Sequence, residues 1–394
     1  MFLTGITGTN GKTTLTYLLR DLWTPHKVGI IGTIQTLIGD ESLPATLTTP
    51  DARALTVLFQ KMQAANVSHV ALEVSSHALM QNRVVDLNFD AAIFTNLTQD
   101  HLDYHHDMES YYQAKKKLFS EILLASCKTK KLAVINRDDA YGRRLMQEIK
   151  DVPLQSYSLN DPQAHAVLEH AEYRLSGTQM RVRLHDEVLN IHTNLIGAYN
   201  VQNILAALLV AATDSDPLQD LAAKLQMVTV PGRLQRVRHS NIFVDYAHTP
   251  DALYNVLTAL RTLMPQQKSG KLGRLIVIFG CGGDRDVDKR PLMGAIAATH
   301  ADVVIVTSDN PRTEDPQKIM DAIMVGVQSK MRPLQNGVGY LFDVDRARAL
   351  EKAVALATPD DVVVVAGKGH EDYQIIGKTK IPFDDVKILE ALLP

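Results

Sequence analysis

Ten consecutive residues near the start, Gly5-Ile6-Thr7-Gly8-Thr9-Asn10-Gly11-Lys12-Thr13-Thr14, are of the types that bind phosphate. Glycines let a backbone curl until successive amide N–H groups point inward. Such a nest at a helix N-terminus suits phosphate oxygens. Lys12 adds a mobile positive charge for β- and γ-phosphates, and the Thr13 hydroxyl is placed to face magnesium. The spacing departs from the common G-x-x-x-x-G-K-T. Ile6 stands where that pattern has its first glycine, and the run reads G-x-x-G-x-x-G-K-T-T. A glycine-rich turn in a nucleotide-free fold is the competing reading. The apolar strand before the loop and the helix-like Leu15–Leu22 after it argue against that.

Other chemistry-bearing residues recur after apolar runs. Glu73, in Glu73-Val74-Ser75-Ser76-His77, follows Val70–Leu72 and offers a carboxylate for magnesium, which prefers oxygen ligands. His101 lies in Asn96–Asp103 and can ligate a second metal, oriented by Asp100 or Asp103. Lys115, in Ala114-Lys115-Lys116-Lys117, reads on its own as part of a solvated basic helix face. Asp245 ends the run Ile242–Val244 and can bond a ribose hydroxyl. Asp309-Asn310-Pro311-Arg312 sets a carboxylate, an amide and a guanidinium on a turn fixed by Pro311. A fork of donors beside a carboxylate suits an amino-acid zwitterion. The competing reading is a capping turn before the helix-like Asp315–Gln328.

Positioning these groups calls for strand ends. Val28–Ile31, Val70–Val74, Ala91–Phe94 and Leu132–Ile135 read as buried parallel strands, with Ala54–Ala65 and Tyr111–Leu124 as crossover helices. That alternation is the α/β doubly wound signature, whose ligands gather at the carboxyl ends of strands. From about Leu154 to Ile196 short alternating segments, such as Gln179–Leu184 and Glu187–His192, read as antiparallel edge strands. An Ala- and Leu-rich helix, Asn200–Ala212, follows. Val230-Pro231-Gly232-Arg233 marks the best domain boundary. Beyond it, Ile242–Val244, Leu275–Phe279, Val303–Val306 and Val362–Val365 form a second α/β set. Three of these strands open into polar loops, Gly280–Asp286, Ser308–Arg312 and Gly367–Glu371.

The 394 residues allow two or three domains, and 45% hydrophobic content is ample for sizeable cores. A net charge of −3 gives no electrostatic reason to expect nucleic acid. Cys127 and Cys281 form neither a disulfide framework nor a zinc site, so a cytoplasmic, reducing setting is expected. No apolar run approaches a membrane span, and a signal peptide is not expected.

Taken together these residues resemble the Mur ligase family, the ATP-dependent amide-forming enzymes of peptidoglycan synthesis. The likeness is greatest to the branch that adds the third peptide residue. It runs from Gly5 to Gln374 and includes the departing glycine spacing of Gly8–Thr14. Further matching stretches are Glu73–His77, Asp100–His105, Gly197–Asn200, Pro231–Arg233, Asp245–Asp251 and Gly367–Gln374. The resemblance implies a P-loop-type central ATP-binding domain with a mostly parallel sheet over residues 1–230. It implies a C-terminal, Rossmann-like α/β domain for the amino acid over 231–394.

The resemblance also implies residue roles. Gly8, Thr9, Asn10, Gly11, Lys12, Thr13, Thr14, Asn200, Arg233 and Asp245 become ATP contacts. Thr13, Glu73 and His101 become magnesium ligands. Lys115 matches a lysine carbamylated by CO₂, which turns a cation into a metal-bridging anion. Lys12, Lys115, Glu73 and His101 form the catalytic set. Thr48, Thr49, Ser75, Gln81 and Arg83 match contacts to the muramoyl-dipeptide acceptor. Asp309, Asn310, Pro311 and Arg312 resemble a motif associated with meso-diaminopimelate, with Arg285, Gly367 and Glu371 completing that pocket. The expected reaction joins meso-diaminopimelate to UDP-MurNAc-L-Ala-D-Glu through an acyl phosphate, in a monomer without nucleic-acid or membrane partners. Relatives in this branch usually begin with a further domain that holds the uridine nucleotide. This chain opens at the ATPase strand, so weak acceptor binding is expected.

Three competing readings remain. One is a Mur-like ligase for another carboxylate, such as a tetrapyrrole or a glutamate polymer; Arg285 and Arg312 speak against it. Another is an ATP-binding form that needs a partner chain, against which stand the intact Lys12, Glu73, His101 and Lys115. A switch GTPase is disfavoured because the chain has no Asn-Lys-x-Asp guanine signal.

Overall fold

A computed structural model describes residues 1–214, 217–264 and 273–393, the side chain of Asp103 excepted. The chain divides into two compact units, Met1–Thr229 and Val230–Pro394.

In the first unit the strands are β1 (Phe2–Thr7), β2 (Val28–Ile31), β3 (Gln35–Ile38), β4 (Glu41–Pro44), β5 (His69–Glu73), β6 (Ala91–Phe94), β7 (Leu132–Asn136), β8 (Leu154–Ser158), β9 (Ala166–Arg174), β10 (Gly177–Leu184) and β11 (Glu187–Thr193). Its helices are α1 (Lys12–Leu22), α2 (Ala52–Ala64), α3 (Ser76–Met80), α4 (Leu102–His105), α5 (Met108–Lys117), α6 (Ala140–Glu148), α7 (Ala198–Ala211) and α8 (Leu218–Lys224). Among the described residues the strands form one sheet in the order β11-β10-β9-β8-β7-β6-β1-β5-β2-β3-β4. From β2 to β8 every neighbouring pair is parallel. β1 lies between β5 and β6: the chain builds one side of it through β2 and β5, then crosses over to build the other through β6, β7 and β8. The crevice at such a switch point is where ligands of open α/β sheets bind.

These strands are apolar on both faces, as parallel strands covered by helices must be. All residues of β2, β5 and β6 are buried. Val70, Leu72, Ala92, Phe94 and Phe119 join one core cluster, and each large apolar side chain buried there contributes about 1.5–3 kcal/mol. Helix starts are chemically marked. Asp51, Ser75, Asp107 and Asp139 each accept from the backbone N–H of the residue three positions on, capping α2, α3, α5 and α6.

The edge region differs from the expectation of antiparallel strands throughout. β8 runs parallel to β7, and β9 begins parallel to β8; only β9, β10 and β11 pair antiparallel. β8 is short and half-apolar, so its pattern does not reveal a direction that the helix before it imposes. The helix expected over Tyr111–Leu124 is also divided. α5 ends at Lys117 and a π-helical stretch, Leu118–Leu123, follows.

The second unit holds β12 (Gln235–Arg236), β13 (Ile242–Asp245), β14 (Leu275–Phe279), β15 (Val303–Thr307), β16 (Gly339–Asp343), β17 (Val362–Ala366), β18 (Tyr373–Ile376) and β19 (Thr379–Pro382). Its helices are α9 (Pro250–Thr262), α10 (Lys289–His300), α11 (Pro316–Gln328), α12 (Arg346–Leu356) and α13 (Asp385–Leu392). The main sheet runs β12-β13-β17-β14-β15-β16 and is parallel except at β12; β18 and β19 form a hairpin. Arg346 and Asp385 form a fully buried ion pair at 2.7 Å that joins α12 to α13.

Candidate active site

In the first unit the loop after β1 closes into the expected nest. Gly8 and Gly11 hold φ of +145° and +89°. A Cβ on Gly8 would stand 1.8 Å from Thr95 Oγ1, and one on Gly11 would stand 2.5 Å from Asn203 Oδ1. Both positions therefore exclude side chains, and α1 begins at once with Lys12. The loop is held from β6: Thr9 N donates to Asn96 O at 2.9 Å and Asn10 N to Asn96 Oδ1 at 2.9 Å. Lys12 Nζ folds over the loop and donates to the carbonyls of Gly8 and Thr9 at 2.9 and 2.8 Å. Thr14 is buried in the first turn of α1.

Glu73 ends β5 beside this loop and is buried. Its Oε1 accepts from Thr13 Oγ1 and from Thr33 N, each at 2.9 Å, and its Oε2 accepts from Thr33 Oγ1 at 3.0 Å. Thr33 Oγ1 lies 3.1 Å from Thr48 Oγ1. The donor set of Thr13 hydroxyl and Glu73 carboxylate is made of hard oxygens, which suits magnesium.

Lys115 is not on a solvated face. It is 1% exposed, its Nζ donates to Gly8 O at 2.9 Å, and the ammonium position lies 4.5 Å from the Tyr111 ring centre. Burial drives its pKa well below the ordinary lysine range, and the charge of Lys12 pushes the same way. Lys116 carries the outward role, pairing with Glu148 at 2.8 Å.

His101 sits before α4 with φ of +54°. Its Nε2 lies 3.4 Å from Asp100 Oδ2, and its ring centre 5.0 Å from that of His77. Burial first lowers its pKa, against the opposing charge of Asp100, and His77, Lys12 and Lys115 push further down. A neutral imidazole results, as a metal ligand requires. The expectation for Asp103 lies outside the described residues.

The acceptor set adjoins Glu73. Thr49 Oγ1 donates to Glu73 O at 2.7 Å and accepts from Ser75 N at 3.0 Å. Arg83 Nη1 donates to Thr49 O at 2.6 Å, while its Nε and Nη2 grip Gln81 Oε1 at 3.0 and 2.5 Å. Thr48, Thr49, Ser75, Gln81, Arg83 and Glu73 are thus one connected patch. Asn200 stands in the first turn of α7, where its Nδ2 donates to Ile196 O at 2.9 Å and its Oδ1 accepts from Asn203 at 3.4 Å.

In the second unit, Asp245 is buried and accepts from Leu234 N at 2.7 Å. Burial raises its carboxyl pKa, opposed by the charge of Arg233 and two backbone amides. The Arg233 guanidinium lies 5.0 Å from the Tyr246 ring centre. A separate polar cluster gathers the ends of β15 and β17. Asn310 Nδ2 donates to Glu371 Oε2 at 2.7 Å, and its Oδ1 accepts from Ile375 N at 2.9 Å. Gly367 lies against Asp309, whose Oδ2 would be 3.5 Å from a Cβ there. Arg312 takes φ of +50°, and its Nη1 donates to Gly283 O at 2.8 Å. The carbonyl of Pro311 accepts from Glu314 N at 3.0 Å. The helix cap is Asp315, which accepts from Gln317 N, so Arg312 does not serve that purpose. Arg285 is exposed on the Gly280–Asp286 loop and donates to Asp284 O at 3.0 Å.

Sequence reasoning missed several members. Thr33 fixes both Glu73 oxygens, and nothing in its own stretch signals this. Lys368 is fully buried and reaches Glu371 Oε2 at 3.1 Å and Asp309 Oδ1 at 3.8 Å. Its signal was available: a lysine between two glycines at a strand end. Tyr111 and His105 stack at 5.0 Å behind Lys115 and His101.

Two family models match the chain: the Mur ligase middle domain over residues 6–211, and the Mur ligase, glutamate ligase domain over residues 232–369. A UDP-N-acetylmuramoyl-L-alanyl-D-glutamate–2,6-diaminopimelate ligase of Caldanaerobacter subterraneus subsp. tengcongensis is 43% identical over 99% of the chain and 78% of its own length. Its namesake in Trichormus variabilis is 43% identical over 99% of the chain and 77% of its own length. A solved structure under the same enzyme name shares 34% identity, with a TM-score of 0.69, over 100% of this chain and 78% of that one. A folylpolyglutamate synthase of Mycobacterium tuberculosis in complex with ADP has a TM-score of 0.72 over 93% of this chain and 87% of its own, at 19% identity, a likeness of fold alone. Among the described residues no helix is long and apolar enough to cross a membrane.

Proposed function

This chain belongs to the Mur ligase family, and on that premise we propose that it is the ATP-dependent ligase that adds meso-diaminopimelate to UDP-N-acetylmuramoyl-L-alanyl-D-glutamate. The γ-phosphoryl of ATP passes to an oxygen of the acceptor's free carboxylate, and ADP leaves. The amine nitrogen of meso-diaminopimelate then attacks the acyl carbon. An amide forms, the amine gives up a proton, and phosphate departs with the carboxylate oxygen.

Each step has residues suited to it. The Gly8–Thr14 nest holds the phosphates, with Lys12 swinging from the carbonyls of Gly8 and Thr9 onto them. Positioning and electrostatics supply most of the catalysis in phosphoryl transfer. Thr13, Glu73 and a modified Lys115, with His101 nearby, would hold magnesium, which when bound would supply positive charge to the transferring group. Thr33 keeps Glu73 in place. Thr48, Thr49, Ser75, Gln81 and Arg83 orient the acceptor. Asn200, Arg233 and Asp245 serve the nucleotide, and Arg285, Asp309, Asn310, Pro311, Arg312, Gly367 and Glu371 the amino acid.

The single observation that carries the reading is Lys115. A lysine buried against Gly8 O, with its pKa driven down, is a poor permanent cation and a good nucleophile. Its neutral amine would add to CO₂ with release of one proton, and the carbamate so formed would offer anionic oxygens to magnesium. The test is ADP release measured with ATP, magnesium and the acceptor nucleotide while amino acids are supplied one at a time. Release that depends on both acceptor and meso-diaminopimelate supports the proposal. Release independent of both overturns it.

A further inference from the structure

At the opposite end of the first-unit sheet lies a convergence of side chains that the ligase reaction does not use. His26, His69 and Asp214 form, among the described residues, the one group of three His, Cys, Asp or Glu side chains whose ligand atoms all lie within 4.8 Å of one another. His69 opens β5 and Glu73 closes it. Four residues of extended chain separate them by about 13 Å, so this group is remote from the phosphate nest.

We propose that His26, His69 and Asp214 bind a divalent transition metal of the zinc class, as a structural clamp. His69 is buried, and its Nε2 lies 3.3 Å from Asp214 Oδ2. Ligand atoms of a tetrahedral zinc ion stand about 3.3 Å apart, so this pair already has the required spacing. The other ring nitrogen, Nδ1, lies 2.9 Å from Ser68 Oγ. With Nδ1–H donating to that hydroxyl, Nε2 carries the lone pair that a metal needs, the usual arrangement behind a ligating histidine. His26 is exposed, and its ring centre is 4.5 Å from that of His69, so a turn of its side chain completes the set. Two nitrogens and one oxygen suit zinc, cobalt or nickel far better than magnesium. Three protein ligands leave a fourth position for water.

The backbone places the three ligands with a purpose. His26 follows α1, with its N–H donating to Trp23 O at 2.8 Å, and Asp214 follows α7, with its N–H donating to Ala211 O at 3.1 Å. The other ends of these helices carry Lys12, Thr13 and Asn200. A metal here ties the far ends of the two helices to β5, whose own far end is Glu73. It therefore steadies the scaffold of the nucleotide site without touching nucleotide, and the inference stands apart from the choice of ligase substrates.

The experiment uses the full chain, stripped with chelator and titrated with zinc by calorimetry in excess magnesium. Cobalt absorption reports the geometry. We expect one zinc ion per chain at roughly micromolar affinity or tighter, a raised melting temperature, and a tetrahedral cobalt spectrum. His26→Ala and Asp214→Asn should each weaken zinc by more than about 10-fold and abolish the thermal shift. Because His26 is exposed, its replacement leaves the fold intact, which the melting curve without metal verifies. No zinc binding by the wild type, or zinc binding and a cobalt spectrum unchanged in His26→Ala, overturns the proposal.

Discussion

Lys115 shows what one buried side chain can and cannot disclose in sequence. Its neighbours Lys116 and Lys117 have the same chemistry, and only the packing of α5 against the phosphate loop separates it from them. That is why three lysines in a row read as a solvated face. Lys115→Ala is expected to lower the ligation rate by about 100-fold or more, the scale of losing one preorganised electrostatic group. Added bicarbonate should not restore it, while a short carboxylate supplied in trans should do so in part; initial rates of ADP release decide. Thr33 was invisible for a related reason, since its bonds to Glu73 span 40 residues of sequence. The proposed ligand role of His101 predicts a pH dependence. Its pKa lies below the free imidazole value of 6.5, so it is neutral above that and gains a proton only as pH falls through the lowered value. The acid limb of the rate profile should therefore fall below pH 6.5, and a midpoint at or above 6.5 would count against His101 as a ligand.

At the scale of elements, the strands with continuous apolar runs were legible almost to the residue: Val28–Ile31, Ala91–Phe94 and Leu275–Phe279 stand as expected. Those that were missed, β3, β4, β12, β16, β18 and β19, are half-exposed or built on mixed residues, and pairing partners define them rather than their own pattern. The Ser308–Arg312 loop reads as a binding site, with a capping turn as the alternative, from a carboxylate, an amide and a guanidinium on a turn fixed by Pro311. The capping alternative falls away for Arg312, since Asp315 caps α11. Diaminopimelate differs from lysine by a second carboxylate, and Arg312 offers a permanent, bidentate cation. A charged hydrogen bond of about 1.5–3 kcal/mol corresponds to about 10- to 150-fold discrimination. Arg312→Ala should lose most of the preference for meso-diaminopimelate over L-lysine, chiefly through the amino-acid KM, with ATP binding unchanged. Comparing kcat/KM for both amino acids in both proteins checks this, and an unchanged ratio would defeat it.

For the whole molecule, two units each carry their own core and their own polar cluster at strand ends. The second depends on a fully buried ion pair, Arg346 with Asp385. Removing one member leaves the other charged in the core, so Arg346→Met should destabilise that unit by about 3–5 kcal/mol. The double replacement Arg346→Met with Asp385→Leu should recover most of the loss, read from the urea transition that reports the second unit. The fold class was legible because alternating apolar strands and helices admit few arrangements, whereas the buried ion pair was not, since both residues are ordinary helix residues in sequence. The central claim is that one chain makes an amide by way of an acyl phosphate. It is tested most directly by labelling the acceptor's free carboxylate with oxygen-18 and analysing the phosphate released during ligation. The account predicts one labelled oxygen in each phosphate released, and formation of the tripeptide product in equal amount. Unlabelled phosphate alongside that product would contradict it.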